Sequence, residues 1–474
     1  STVGLISFYY LYKKFKSVKH DNIPTFKSKE LWNPIFGNLL WLIRNEHDFH
    51  DRFYALWVKE NMPDIVSFKR LGNAIIFFIE PKLIKYVYET EFNKTEKGLK
   101  LNERYHELLG NGIFMSDDIV WKEQRKIGSR MFNMRNLKNF MFECSKISTN
   151  TTINVLDKYK HNSIDIYDVL ARFTLDTFTR VAFGESTNTV QLYPENNAFS
   201  IAFDNLWEDL SYRSSNPFWK TCKILNIGRE KRINRDSIII DNYVNNIITK
   251  CKSRNNDINY DNIKGNNITD VQGQSGHDLI SLFIKHSNKT LKDKEIRDLA
   301  MNFIVAGRDT TRLLLSWCLY EISLPKNKDI LTKLYNEIDS YNDVSYDDIC
   351  NKLKYMECVL LETLRMWPSV PFLGKTAKRD IKLPNNHIIR KGDQLIIHTY
   401  TYGRNPKIWN NPLKFDPNRF NKNGLNQYSQ EIYTVFNIKP RLCLGRHFAL
   451  MEAKVFLYHF LKKFTYKLVP NQNV

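Results

Sequence analysis

The residue best placed to do chemistry is Cys443, in the run Phe-Asn-Ile-Lys-Pro-Arg-Leu-Cys-Leu-Gly-Arg at 436–446. Arg441 and Arg446 flank the thiol, and a helix, HFALMEAKVFLYHFLKKF, is predicted directly after it. A helix amino terminus carries a partial positive charge and free N–H groups, both of which favour an anion. Such surroundings lower a thiol's pKa and supply a thiolate, the form that binds a metal. A lone thiol is also a common buried core residue, so taken alone Cys443 reads either as a ligand or as packing. The seven cysteines, at 144, 222, 251, 318, 350, 358 and 443, form no C-x-x-C pair. Neither a disulfide framework nor a zinc site is expected, and a reducing compartment fits.

Three further groupings have spacings that chemistry can use. Glu362 and Arg365 (ETLR) lie one helical turn apart in an apolar helix, YMECVLLETLRMW. A pair buried there needs further partners. Trp121 and Arg125 (WKEQR) share a helix face and can reach one ligand edge, or form a surface cation–π pair. Ala306-Gly307-Arg308-Asp309-Thr310-Thr311 puts a small pair, an acid and hydroxyls in mid-helix, where propensity is poor. A threonine there can bond back to a preceding carbonyl and loosen the ladder.

The cysteine run resembles F-x-x-G-x-R-x-C-x-G, the haem-binding signature of the cytochrome P-450 family. Phe436, Arg441, Cys443 and Gly445 match, while Lys439 stands in place of the first Gly. That Gly serves a tight turn, where a side chain costs on the order of 1–2 kcal/mol if φ is positive. Lys439→Gly is therefore expected to raise thermal stability. The resemblance extends over nearly the whole chain, through WKEQR, AGRDTT, ETLR and Phe415-Asp-Pro-Asn-Arg419-Phe420. It implies a haem b whose iron is held by Cys443, with Phe436 packed near the sulfur and Gly445 leaving room for the porphyrin. It implies that Arg441, Trp121 and Arg125 hold haem propionates, and that Ala306 lies by the haem. Asp309 and Thr310, with water, would deliver protons to dioxygen, Arg308 pointing away. Glu362, Arg365 and Arg419 would form a structural triad.

The elements that must position these residues are mostly helical. Residues 64–80 alternate around Gly72-Asn73 and predict a hairpin. Residues 82–250 show helical periodicity, 253–277 are polar and read as a flexible loop, and 291–323 predict a long buried central helix. A second strong helix is expected over 345–367, ended by Pro368 and Pro371, with short strands over 372–400. The fold class is mainly α with small β-sheets. The resemblance makes it the cytochrome P-450 fold, a long central helix over the haem and the cysteine loop beneath. Residues 1–20 are read as the remnant of a membrane anchor with a basic flank, 21–40 as a Pro-containing linker, and 41–474 as the haem-thiolate catalytic domain. The resemblance implies a last β hairpin after TYKLVPNQNV, which this sequence lacks, so a fragment at both ends or an unusually short enzyme is expected.

The 474 residues carry a formal charge of +19, spread along the chain without a nucleic-acid motif, so nucleic acid is not an expected partner. Residues 1–12 are apolar or neutral and too few to span a bilayer, which takes roughly 20. Lys13, Lys14, Lys16 and Lys19 follow, as at a cytoplasmic flank. The endoplasmic reticulum membrane, cytosolic face, is the expected location. Lys122, Arg125, Lys126, Arg130, Lys439 and Arg446 are expected to share a face that docks an acidic flavin reductase. The sequence has no dinucleotide fingerprint, so electrons from NADPH must come through that partner. Four stretches, GIFMSDDIVWKEQRK, ARFTLDTFTRVAFG, LNIGREK and NFIVAGRDTT, resemble the plant and fungal fatty-acid ω-hydroxylase branch. A monomeric monooxygenase acting with O2 on a hydrophobic small molecule is expected, with residues 100–115 and Val370 to Leu373 lining the pocket. Lys100 or Arg104 would meet a substrate carboxylate, or simply be exposed charges. A haem-thiolate isomerase or dehydratase and a non-catalytic haem protein are the alternatives.

Overall fold

Ile65–Lys69 and Ala74–Phe78 pair as the predicted hairpin, antiparallel strands β1 and β2 with Ile65 opposite Phe78 and β2 buried along its whole length. The structure is a computed structural model that describes residues 23–26, 38, 41, 44–45, 47–69, 74–195, 197–216, 218–256, 278–287 and 291–470. The hairpin turn, the membrane-anchor remnant and most of the linker lie outside those residues. The remaining strands are β3 (Thr95–Glu96), β4 (Phe372–Ala377), β5 (Ile381–Lys382), β6 (Ile388–Ile389) and β7 (Gln394–His398). Helices of more than ten residues are, in chain order, α1 (Phe49–Lys59), α2 (Leu99–Leu109), α3 (Asp118–Asn133), α4 (Arg135–Lys158), α5 (Ile166–Phe183) and α6 (Ala198–Tyr212). They continue with α7 (Arg229–Asn256), α8 (Asp293–Ser323), α9 (Lys328–Asp339), α10 (Lys354–Met366) and α11 (Arg446–Lys463). Among the described residues no helix is long and apolar enough to cross a membrane.

The chain divides into two units interleaved along the sequence. The first is built on a five-stranded sheet of order β1-β2-β7-β4-β3, in which only β2 and β7 run parallel. Alternation sends Phe68 and Phe77 into an aromatic core with Phe53 and Trp57 of α1, all essentially without exposure. Phe53 and Phe77 stand 4.5 Å apart, and Phe26 packs edge-on to Phe53 and Phe68. Each fully buried aromatic of this kind contributes about 1.5–3 kcal/mol. Ile23 and Phe26 belong to this core, and the Ser67 N–H donates to the Pro24 carbonyl at 2.9 Å. Residues 23–26 are thus pinned to the sheet rather than part of a free linker, because two large apolar side chains lose more by exposure than the segment gains by freedom.

The second unit is helical. Helix α8, 31 residues at ~1.5 Å each, is the longest among the described residues, starting where the Glu295 carboxylate accepts the Lys292 N–H at 2.9 Å. It packs along α5, which Asp165 caps through the N–H groups of Tyr167 and Asp168 and Gly184 ends at φ 72. Gly307 makes that packing close: a Cβ there would sit 1.8 Å from Phe178 Cδ2. Helix α11 lies on α4, and its Phe456 meets Phe173 of α5 at 4.9 Å. Two boundaries differ from expectation. The helix expected from 345 begins at Lys354, after a π-helical turn at Asp348–Lys352, because the Glu337 carboxylate of α9 caps the N–H groups of Tyr355 and Met356. Residues 253–256, expected in the loop, are the last turn of α7, and 257–277 lie outside the described residues.

Candidate active site

In the first unit, a short 3-10 turn at Thr434–Phe436 leads into the cysteine loop. The Cys443 N–H donates to the Phe436 carbonyl at 2.8 Å and closes it. The positive φ that the loop requires falls on Asn437 (φ 65, ψ −174), and Lys439 is not among the positive-φ residues. This corrects the expectation that Lys439 strains the loop. That combination is one that glycine alone adopts without strain, and the bond from the Ile438 N–H to Asn437 Oδ1 at 2.8 Å offsets part of the cost. Lys439, exposed, instead donates its N–H to Gln430 Oε1 at 3.0 Å and precedes a cis bond to Pro440. The Arg441 guanidinium lies 6.0 Å from the Phe92 ring.

Cys443 is exposed, whereas Cys144, Cys318 and Cys358 are buried. Burial pushes the thiols of Cys144 and Cys318 up to about 12 and that of Cys358 up to about 11, which keeps them protonated and inert. The packing alternative therefore describes those three and not Cys443.

In the second unit, Gly445 caps α11, and α3 runs against this start: Gly128 faces the Leu444 side chain. Trp121 is buried and Arg125 half-buried on α3, while Lys122, Lys126 and Arg130 form an exposed stripe and Arg446 is half-buried. On α8 the Thr310 hydroxyl donates to the Ala306 carbonyl at 2.5 Å, as back-bonding predicts, and the Ser369 hydroxyl donates to the Thr310 carbonyl at 2.8 Å. Arg308 turns toward α6, pairing with both oxygens of Asp204 at 2.6 and 3.0 Å. Burial raises the Asp309 carboxyl above its usual range, against the pull of Arg308 and Arg312.

Glu362 and Arg365 are fully buried and pair at 2.7 and 2.8 Å. Glu362 Oε1 also accepts from Arg419 Nε at 3.2 Å and from the Asp416 N–H at 2.8 Å. The triad read from the sequence thus assembles, with a backbone donor added. In α2 the Arg104 carbonyl accepts from the buried Arg213 at 2.9 Å, and burial pulls the Arg104 guanidinium below its usual range. Lys100 is exposed.

Two acids went unread in the sequence. Glu452 of α11 is fully buried between Phe448 and Phe456, facing Thr177 of α5 and Thr311 of α8. Neither of its oxygens completes a hydrogen bond, the Thr177 hydroxyl being spent on the Phe173 carbonyl at 2.9 Å. Burial pushes this carboxyl up to about 8. The signal was present: an acid at four-residue spacing in a phenylalanine stripe. Asp204 carries no comparable signal, since its partner lies in a distant helix.

A family model described as cytochrome P-450 matches residues 28–474. Cytochrome P-450 704B1 of Arabidopsis thaliana is 30% identical over 436 residues, 84% of this chain and 82% of that protein. Cytochrome P-450 94A1 of Vicia sativa is 27% identical, covering 85% of this chain and 78% of that protein. Among solved structures, the haem domain of cytochrome P-450DA superposes with a TM-score of 0.77 at 23% identity, over 94% of this chain and 91% of that one.

Proposed function

The chain belongs to the cytochrome P-450 family of haem-thiolate monooxygenases, and from that premise we propose that it hydroxylates long-chain fatty acids or related lipids, drawing electrons from NADPH through a flavin reductase. The observation that carries the haem reading is the exposed thiol of Cys443, on a loop closed by the Phe436 carbonyl, while three other cysteines are buried and protonated. Each unit carries residues of the types the group needs: in the first a reachable Cys443 sulfur and the Arg441 cation, in the second the Arg125 cation, the Trp121 indole N–H and a Gly445 without a side chain. When bound, the haem supplies the reductive activation of dioxygen, one oxygen atom of which enters the substrate.

The chain's own residues orient and proton-couple that chemistry. With the haem bound, Cys443 would hold the iron and Phe436 would pack by the sulfur. Ala306, small and half-buried, keeps α8 low enough in bulk to admit a ligand. Because the Thr310 hydroxyl donates its hydrogen bond to the Ala306 carbonyl, its oxygen is left to accept from a water and orient it. Asp309, raised by burial, exchanges protons with that water. Glu362, Arg365 and Arg419 hold the frame. Lys122, Lys126 and Arg130, with Arg125, Lys439 and Arg446, supply the cations for an acidic reductase surface.

The lipid assignment rests on the four stretches that resemble the fatty-acid ω-hydroxylase branch. Lys100 or Arg104 serves the substrate carboxylate, and residues 100–115 and 370–373 line its path. In the same reading residues 1–20 lie against the endoplasmic reticulum membrane on its cytosolic face, 21–40, pinned to the sheet at 23–26, connect, and 41–474 act as the monomeric catalytic domain. Carbon monoxide difference spectra of the reduced protein test the ligand. The wild type should show a thiolate-ligated Soret band and Cys443→Ser should not. A screen of long-chain fatty acids with NADPH and reductase tests the substrate. Turnover of other hydrophobic compounds with no fatty-acid product would sink that assignment.

A further inference from the structure

Arg308 is essentially without exposure and cannot satisfy its charge with water. Two carboxylates are within its reach. Asp204 of α6 takes it through both Nη atoms at 2.6 and 3.0 Å, while Asp309 receives a single contact from Nη1 at 3.1 Å. Arg312, one turn on, gives Nη2 to the same Asp309 Oδ1 at 3.0 Å and brings Nη1 to 3.8 Å from Asp204. Both guanidinium groups thus converge on Asp309 Oδ1, which leaves Oδ2 to carry a proton. The arginines are further held over aromatic faces, Arg308 4.7 Å from the Phe203 ring and Arg312 4.3 Å from the Tyr167 ring. The facing titratable or charged groups are Asp204 from α6, Tyr167 from α5, and Arg308 and Arg312 from α8.

Two cations and two carboxylates balance. Without Asp204, two buried guanidinium groups would face Asp309 alone and hold it ionised, a poor acceptor of the next proton. The two acids are not equivalent: the Asp204 side chain is 49% exposed and that of Asp309 14%. Asp204 is therefore the member of the pair that water reaches.

We propose that Asp204 is a positioning residue for proton delivery: by taking Arg308 it leaves Asp309 free to bind and release a proton, so the seat of α6 on α8 sets that step. This rests on the reading of Asp309 and Thr310 as the proton-moving pair. The charge of Asp204 raises the Asp309 carboxyl, against the lowering by Arg308 and Arg312, so its removal lowers it.

The test uses haem-loaded protein with reductase, comparing wild type, Asp204→Asn, Asp204→Glu and Asp309→Asn. An infrared carboxyl band assigned by its loss in Asp309→Asn is titrated in each. Asp204→Asn should move that titration about one pH unit lower, the effect of one nearby charge. It should also carry the pH limb of product formed per NADPH the same way, with more hydrogen peroxide released. Asp204→Glu, which keeps the charge, should restore both. If Asp309→Asn uncouples the enzyme but neither charge state at 204 moves the band or the pH limb, the inference fails and the proton-pair reading stands. If Asp309→Asn leaves coupling and its solvent deuterium effect unchanged, that reading itself fails.

Discussion

Replacing Glu452 with Gln measures what it costs to keep an acid in this interior. The side chain has no exposure and no hydrogen bond, and burial pushes its carboxyl from 4.5 up to about 8. In the unfolded chain the group loses its proton near 4.5; in the folded chain it keeps it until about 8. Between those values the folded state binds the extra proton, so this residue's contribution is fully present below 4.5, falls as pH rises, and is lost above 8. At 1.36 kcal/mol for each pH unit of that interval, the loss reaches about 5 kcal/mol. Glutamine has the same shape and cannot ionise, so it escapes the loss. Thermal unfolding followed by circular dichroism from pH 4.5 to 8.5 should show nearly equal midpoints at the acid end. At the alkaline end Glu452→Gln should be the more stable, by about 5 °C. A gap that does not change with pH, or one that widens toward acid, would refute the reasoning.

Three further outcomes follow from named contacts. Asn437→Gly should raise the midpoint of unfolding by the equivalent of about 1 kcal/mol, because φ 65 with ψ −174 suits only glycine; Lys439→Gly, at a residue without positive φ, should not. Arg365→Ala strips the buried Glu362 of its closest cation, a loss of about 3–5 kcal/mol, and should yield protein without haem, read from the ratio of Soret to protein absorbance. Gly307→Ala forces α8 and α5 apart at Phe178 and should destabilise by about 1–3 kcal/mol in denaturant titration; an unchanged midpoint would mean the Phe178 ring can turn aside.

What was legible in the sequence was local. The hairpin, the long charged helix and the strands after Pro371 each carry their periodicity within one segment, and each formed. The Cys443 run and the Glu362, Arg365 and Arg419 grouping were legible through their resemblance to the family's motifs. The loop's strained position was not. The motif pointed to Lys439, but an asparagine two residues earlier could bond its own backbone and took the positive φ. Ile23 and Phe26 looked like linker because their partners, Phe53 and Phe68, are supplied by a helix and a strand further on. Asp204 was unreadable for the same reason, since only folding brings it to Arg308.

The Glu362–Arg365–Arg419 contact carries a consequence for synthesis on the ribosome. Glu362 and Arg365 are made together, but the second cation and the Asp416 N–H arrive more than fifty residues later. Until then the nascent helix holds a carboxylate that it cannot bury cheaply, and translation must run almost to completion before this half can close. Prematurely terminated chains lacking Arg419 should therefore present themselves to proteases as open polypeptide, whatever helices they have already made.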